Sequence, residues 1–360
     1  MIDLKKEGVT MKRQDYDMPF MLRYENVAWY ENGEVKILDR RVYPKEVRFE
    51  ICKTQKEVAK AITDMVTQSA GPYTAAGMGM ALAAYEAREL ANDEKLKYLE
   101  EAAHTISNAR PTTANRMKKV TTGSIEAAKK AMAKGKDVVE AIFDDAIESL
   151  NRRYSAMNKV AKNLCEKIPD GGKVLTQCFG ETIIGTMTRT LKEQGKDVKF
   201  YCCETRPYYQ GARLTATCIN DMGFETTVIT DNMVAYLMEN VGIDLFTCAS
   251  DTITMDGHVA NKVGTHQIAI VAKRFNVPFY VTGIPDYEKK VKDDIVIELR
   301  EPSLVLGDHT AKGVKAIYPS FDITPPELIV GFVTDKGTYK ASELNKYFEK
   351  DNVSRFYILI

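Results

Sequence analysis

The sequence predicts an α/β protein in which a Rossmann-like domain with a mostly parallel sheet follows a smaller domain of a short antiparallel sheet and helices. Two observations carry this prediction. A hairpin signal and a long helical pattern fill the first part of the chain, whereas short β-rich runs alternate with amphipathic segments after "PDGGK" at residues 169–173. Such alternation is typical of parallel sheets covered on both faces. We therefore expect two domains, residues 1–135 and 136–360.

The first domain begins with a small sheet. In "FMLRYENVAWYENGEVKILDRRVYP", Glu-Asn-Gly at residues 31–33 separates two apolar-alternating runs, which indicates a hairpin. From about Lys56 the apolar spacing becomes helical, in "KEVAKAITDMVTQ", around residues 81–90 and in "DVVEAIFDDAIESLNRRYSAMNKVAKNLCEKI". A helical region therefore follows the sheet, and its last helix leads into the second domain.

The second domain repeats strand and helix signals. The predicted strands are "KVLTQC", "VKFYCCET", "ETTVIT", "DLFTCAS" and "PFYVTGI", separated by helical stretches such as "IGTMTRTLKEQG" and "THQIAIVAKRFN". Such βαβ units build a parallel sheet. Ligands of these sheets bind where the carboxyl ends of the strands open into a crevice, so the residues at strand ends are the candidates for function.

Composition and charge exclude several classes of protein. Lys+Arg and Asp+Glu both number 50, so no bulk charge attracts nucleic acid or an anionic membrane. The chain has no apolar stretch of signal-peptide length near its start and none approaching the roughly 20 residues of a membrane span. The seven cysteines form no CxxC pair and the four histidines no HExxH motif, which disfavours a disulfide scaffold and a metal site. We expect a cytoplasmic protein with a small-molecule partner.

Cys178 ends the predicted strand "KVLTQC" and is followed by Gly180, Glu181 and Thr182, which suit a tight turn and a helix start. A thiol beside a helix N-terminus can have a lowered pKa and act as a base or nucleophile. The commoner alternative is that a cysteine at a strand end is a small buried hydrophobe.

Asp251 follows the strand "DLFTCAS" in the same way. Partial burial would raise the pKa of this carboxyl and let it act as a general acid. The alternative is that Asp251 caps a turn or helix. The coincidence of a thiol and a carboxylate at the same edge of one predicted sheet favours a catalytic role for both.

Further polar groups follow other strands. Gln210, in "YCCETRPYYQGARLTA", can present an amide to an anion, while Arg206 and Arg213 are equally suited to structural ion pairs. Asn261 and Lys262, in "HVANKVGTHQIA", form a donor pair suited to a phosphate. A lysine there is otherwise a solvated surface charge.

The glycines of "AGMGMA", around Gly77 and Gly79, do not form a dinucleotide fingerprint. The third glycine is missing and no strand precedes them. We interpret them as small residues that pack a helix.

Five segments together resemble the 5-methylthioribose-1-phosphate isomerase family. They are "NARPTTAN" (108–115), "TQC" ending at Cys178, "ETRPYYQGARLTA" (204–216), "SDTITMDGHVANKVGT" (250–265) and "FDITPPELI" (321–329). The opening "LRYENVAWYENGEVKILDRRVYP" is similar to the N-terminal hairpin of that family, so the resemblance covers nearly the whole chain. The chain departs from the family at "SAGPYTAAGMGMA", where no arginine matches the usual Arg-Gly-Ala-Pro phosphate loop.

The resemblance implies a reaction and its residues. Cys178 and Asp251 would be the catalytic pair, Arg110, Gln210, Asn261 and Lys262 would hold the phosphate, and the protein would be a homodimer that needs no cofactor. The reaction would be aldose-ketose isomerisation of 5-methylthioribose 1-phosphate, or of a related substrate such as 5-deoxyribose 1-phosphate, in methionine or 5-deoxypentose salvage.

Two other functions remain open, because relatives share this fold without sharing the chemistry. One is a ribose-1,5-bisphosphate isomerase. The other is a non-catalytic subunit that senses a sugar phosphate or nucleotide, related to the regulatory subunits of a translation-initiation exchange factor. The presence of both Cys178 and Asp251 favours an enzyme.

Overall fold

The structure, a computed structural model, describes residues 4–6, 9–11, 13–110 and 114–349 of the 360-residue chain. These residues form two compact units, one up to Ser155 and one from Ala156 onward. The division falls inside one helix, α6 (Val138–Cys165), rather than at the predicted boundary after residue 135. The sequence at residues 133–137 breaks the helical pattern, but the first half of α6 buries Ile142, Leu150 and Tyr154 within the first unit.

The first unit combines small antiparallel sheets with helices. Its strands are β1 (Leu4–Lys6), β2 (Val9–Met11), β3 (Ala28–Glu31), β4 (Glu34–Leu38) and β5 (Phe49–Cys52). Its helices are α1 (Tyr24–Val27), α2 (Gln55–Thr63), α3 (Gly71–Glu86), α4 (Asn92–Ser107), α5 (Ala114–Ala133) and the start of α6. Strands β3 and β4 pair antiparallel with Glu31 opposite Glu34, and Asn32 and Gly33 both have positive φ. The predicted hairpin is confirmed.

Helix α3 is buried on nearly all sides in the first unit. A Cβ atom at Gly79 would lie 2.9 Å from Val58 Cγ1, and one at Gly77 would lie 3.0 Å from Ala146 Cβ. Contacts this close leave no room for a side chain. The glycines of "AGMGMA" therefore pack a helix, as the sequence predicted.

The second unit is built around a seven-stranded sheet. Its strands are β6 (Lys173–Thr176), β7 (Lys199–Cys203), β8 (Thr226–Ile229), β9 (Leu245–Ala249), β12 (Phe279–Thr282), β14 (Gly331–Thr334) and β15 (Gly337–Tyr339). They lie in the order β15-β14-β12-β9-β6-β7-β8, and every pair is parallel except β14 with β15. The predicted mostly parallel sheet is confirmed.

A second, antiparallel sheet of this unit consists of β10 (Thr252–Ile253), β11 (Val259–Lys262) and β13 (Phe321–Thr324). The helices are α7 (Glu181–Glu193), α8 (Ala216–Asp221), α9 (Val234–Asn240), α10 (Thr265–Arg274), α11 (Ser303–Leu306) and α12 (Lys346–Glu349). Phe246 and Phe279 stack at 4.3 Å between ring centroids on neighbouring strands, in the core of the large sheet. Within the described ranges, no helix has the length and apolar character needed to cross a membrane.

Candidate active site

The large sheet reverses its strand order between β6 and β9. From β6 the chain proceeds through β7 and β8 to one edge, whereas β9 and β12 lie on the other side of β6. A crevice at the carboxyl ends of the strands is expected at such a reversal. Cys178 follows β6 by two residues and Asp251 follows β9 by two. The fold therefore brings the two predicted catalytic residues to this point.

The backbone of Cys178 has the left-handed conformation, with φ of +59°. Its amide nitrogen donates to Thr205 Oγ1 at 3.0 Å, and its carbonyl oxygen accepts from the Thr215 hydroxyl. Thr205 and Tyr209, in the connection after β7, also have positive φ. Left-handed conformations of residues other than glycine cost about 1–3 kcal/mol each and cluster at functional sites.

Two carboxylate contacts support this connection. Asp231, just after β8, accepts from the amide nitrogens of Thr205 at 2.8 Å and Arg206 at 2.7 Å. Because Thr205 in turn holds the amide of Cys178, the strand ends β6, β7 and β8 are tied together by hydrogen bonds. The thiol therefore stands on a constrained backbone.

Burial raises the pKa of the Cys178 thiol to about 11, even though Lys262 favours the thiolate. Asp251 acts in the same direction as burial. The sequence predicted that a helix N-terminus lowers this pKa. That prediction is wrong for the protein without bound substrate, in which the pKa is raised. The physical reason is that the loss of hydration around the thiolate outweighs the favourable field of the lysine.

Asp251 is exposed to solvent, whereas the sequence suggested partial burial. Its amide nitrogen donates to Ala260 O at 3.0 Å, which holds the β9–β10 connection against β11. Its carboxylate lies close enough to Cys178 to affect the pKa of the thiol. The two predicted catalytic groups therefore interact, one half-buried and one in contact with water.

Asn261 and Lys262 are more than nine-tenths buried. The Asn261 amide donates to the Thr265 hydroxyl at 3.0 Å, and the Lys262 ammonium lies 5.0 Å from the centroid of the Phe321 ring. Lys262 is thus a desolvated cation near Cys178, not the solvated surface charge of the alternative interpretation.

The N-terminus of α10 is capped by Asp322, which the sequence analysis missed. Its carboxylate accepts from Gly264 N at 2.6 Å and from His266 N at 3.1 Å. Burial raises the pKa of Asp322 despite these bonds. The residue lies on β13, opposite Asn261 on β11, so only the pairing of these strands reveals the contact.

Gln210 is buried, and its Oε1 atom has no hydrogen-bond partner among the described residues. Arg206 Nη2 donates to Val305 O at 2.9 Å and Arg206 Nη1 to Tyr209 Oη at 2.8 Å. Arg213 donates to Tyr208 O from Nε and Nη2. Both arginines therefore hold local structure, and Gln210 keeps an open acceptor.

Arg110 belongs to the first unit and lies just after α4. Residues 111–113 of the "NARPTTAN" motif are outside the described residues. In the same unit, Arg40 is fully buried and its Nη1 donates to Gln68 O at 2.6 Å, next to the N-terminus of α3. A guanidinium group thus lies near the segment where the sequence lacks the expected loop arginine, although it comes from a residue 28 positions upstream of Gln68.

A metal site is not formed by the part of the chain that the structure describes, where no three His, Cys, Asp or Glu side chains come close enough to share an ion.

Residues 68–341 match the initiation factor 2 subunit family. The methylthioribose-1-phosphate isomerase of Thermotoga neapolitana is 34% identical over 89% of this chain and 96% of its own length. That of Thermosipho africanus is 34% identical over 91% of this chain and 99% of its own length.

Two solved structures also match most of this chain. The crystal structure of 5-methylthioribose 1-phosphate isomerase from Pyrococcus horikoshii OT3 has a TM-score of 0.79 and 29% identity, covering 90% of this chain and 96% of its own. A translation initiation factor eIF-2B, subunit delta, from A. fulgidus has a TM-score of 0.76 and 29% identity, covering 88% of this chain and 96% of its own.

Proposed function

The chain belongs to the initiation factor 2 subunit family and to the methylthioribose-1-phosphate isomerases, and we propose that it interconverts 5-methylthioribose 1-phosphate and the corresponding ribulose 1-phosphate. The observation that carries the proposal is the presence of Cys178 and Asp251 after adjacent strands at the reversal of the sheet. Relatives that bear the isomerase name match about nine-tenths of the chain. The reaction serves methionine salvage in the cytoplasm.

The chemistry requires an acid and a base. A sugar 1-phosphate cannot open its ring as a free sugar does, because the anomeric oxygen is esterified. Asp251 gives a proton to the ring oxygen as the bond from that oxygen to C1 breaks. The Cys178 thiolate removes the proton from C2 and returns it to C1, and the C2 hydroxyl gives its proton back to Asp251 as it becomes the ketone. The atoms rearrange within one molecule, so no redox partner takes part.

The phosphate needs donors that remain in place during ring opening. Lys262 supplies a buried positive charge, Asn261 and Gln210 supply amides, and Arg110 supplies a guanidinium. Lys262 also favours the thiolate of Cys178. One cation therefore serves both the phosphate and the base.

A catalytically silent sensor of sugar phosphates is the second candidate, favoured by the likeness to an eIF-2B delta subunit. The two functions separate in one experiment. The purified protein is given 5-methylthioribose 1-phosphate, 5-deoxyribose 1-phosphate and ribose 1,5-bisphosphate, with Cys178→Ala and Asp251→Asn in parallel. We expect turnover of the methylthio substrate, abolished by both substitutions, and a homodimer by light scattering. Binding without turnover in the folded wild type would instead establish the sensor.

A further inference from the structure

An open cleft of about 140 Å³ lies in the second unit beside the candidate active site. Its walls are predominantly apolar and are formed by Arg206, Pro207, Val263, Val305, Ile317, Tyr318 and Pro319. Val263 directly follows Lys262, so the cleft begins next to the proposed phosphate-binding lysine. Arg206 is the only charged side chain among the described residues of the wall, and two of its three nitrogens already donate to Tyr209 Oη and Val305 O.

Among the polar groups of this wall, the Tyr318 hydroxyl is the one that makes no hydrogen bond to the described residues. The residue is 3% exposed, and its hydroxyl is buried without a hydrogen-bond partner among the described residues. A buried hydroxyl left unpaired costs about 1–3 kcal/mol. The Tyr208 ring packs against the Tyr318 ring at 6.1 Å between centroids, which holds the phenol in position.

The phenol also lies within electrostatic range of the catalytic thiol. Burial is the main cause of the raised pKa of Tyr318. The neighbouring Tyr208 raises this pKa further, and a charge on Cys178 adds to the effect. The hydroxyl is therefore a neutral donor and acceptor near Cys178, at the border of an apolar cleft. An unpaired buried polar group needs an explanation, and beside an active site a ligand that completes its hydrogen bond supplies one.

We propose that Tyr318 is a substrate-binding residue whose phenol hydrogen-bonds a sugar hydroxyl, and that the adjacent cleft receives the apolar group at C5. This inference rests on the proposed function and narrows its substrate class. A methylthio or methyl group matches walls of Pro207, Val263 and Val305. A second phosphate would lose its hydration there, and Arg206 already donates from two of its three nitrogens.

The test uses Tyr318→Phe, which removes the hydroxyl and keeps the ring. Tyr339→Phe is the matched control, because Tyr339 also has a buried hydroxyl without a partner among the described residues but lies on β15, outside the cleft wall. We measure kcat and KM with 5-methylthioribose 1-phosphate and ribose 1,5-bisphosphate, the Tm of each protein, and the rise in Tm with 5-methylthioribose 1-phosphate.

We expect Tyr318→Phe to lower kcat/KM for the methylthio substrate about tenfold to a hundredfold, as for loss of a hydrogen bond to a substrate hydroxyl. Its Tm should be equal to or above that of the wild type, because an unpaired hydroxyl has been removed. Tyr339→Phe should leave kcat/KM within about twofold. Wild-type kcat/KM for the bisphosphate should lie at least about a hundredfold below that for the methylthio substrate.

Three results would overturn the inference: an unchanged kcat/KM in Tyr318→Phe, a clear drop in its Tm, which would show that the hydroxyl stabilises the fold, or a wild-type preference for the bisphosphate. If the wild type turns over neither compound, the proposed function fails and binding decides the role of Tyr318. A substrate-induced rise in Tm that is smaller in Tyr318→Phe than in Tyr339→Phe would still support Tyr318 as a ligand-binding residue. Equal rises in the two variants would reject that role.

Discussion

The protonation of Cys178 gives the sharpest prediction. Burial raises the pKa of the thiol from its ordinary value of 9.0 to about 11, and a base must have lost its proton to act. At pH 7, roughly four units lower, only about one thiol in 10⁴ is ionised. The rate of any step that needs only the thiolate should therefore rise about tenfold per pH unit, hence about a hundredfold between pH 7 and pH 9. kcat/KM also needs a protonated acid, and a carboxyl of ordinary pKa loses its proton in parallel over this range, so kcat/KM should stay nearly constant.

The assay follows ketose formation by phosphorus NMR at several pH values between 7 and 9.5, with substrate well below KM. The second ionisation of a phosphate monoester lies near pH 6, so the substrate contributes little in this range. The folded-state pKa of Cys178 exceeds the ordinary value, so the folded protein loses stability as the pH rises above about 9 toward 11. The Tm at each pH therefore serves as the control for unfolding.

Alkylation by iodoacetamide measures the same ionisation without substrate. Cys178 is half-buried, whereas the other six cysteines are buried, so the reaction at Cys178 should dominate, with Cys178→Ala as the blank. We expect the rate to rise through pH 9 without reaching a plateau. A plateau near pH 8 would refute the argument from burial. A kcat/KM that rises in step with the alkylation rate would instead show that turnover needs the thiolate without a protonated Asp251, which would contradict the acid role of that carboxyl.

Three further substitutions test the support of the site. Asp231→Ala removes the acceptor for the amides of Thr205 and Arg206. We expect the free energy of unfolding in urea to fall by about 1–3 kcal/mol and kcat/KM to fall as well. Unchanged kinetics would show that this turn does not position the thiol. Gly264→Ala places a side chain at φ of +102°, so chemical denaturation should show about 1–3 kcal/mol lower stability, and an unaltered midpoint would contradict that strain. Asp322→Ala leaves the first amides of α10 uncapped and should cost about 0.5–2 kcal/mol, whereas equal stability would mean that water replaces the carboxylate.

Much of the fold follows from local pattern. Asn32 and Gly33 adopt the positive φ that a two-residue hairpin needs, and the alternation of strands and helices after residue 170 yields the parallel sheet. The positions of Cys178 and Asp251 at strand ends are also readable from the sequence, because the apolar runs end just before them. The register of the strands then places both at the same edge.

Other properties depend on residues that are distant in sequence. The sequence suggested a lowered pKa for Cys178, but the thiol is desolvated by side chains that only the folded sheet brings around it. Asp322 caps α10 from 56 residues further along the chain than His266, through the pairing of β11 with β13. Periodicity predicts which face of an element is buried, but it does not predict what packs against that face.

The sequence by itself therefore determined the class of fold, the isomerase family and the positions of the proposed catalytic pair at strand ends, because these depend on local spacing and on motifs. The tertiary structure alone decided which of the charges are desolvated and which hydroxyls lack partners, as at Lys262 and Tyr318. Hydration and hydrogen bonding are set by the atoms around a group, and those atoms come from strands and loops that are brought together only by folding.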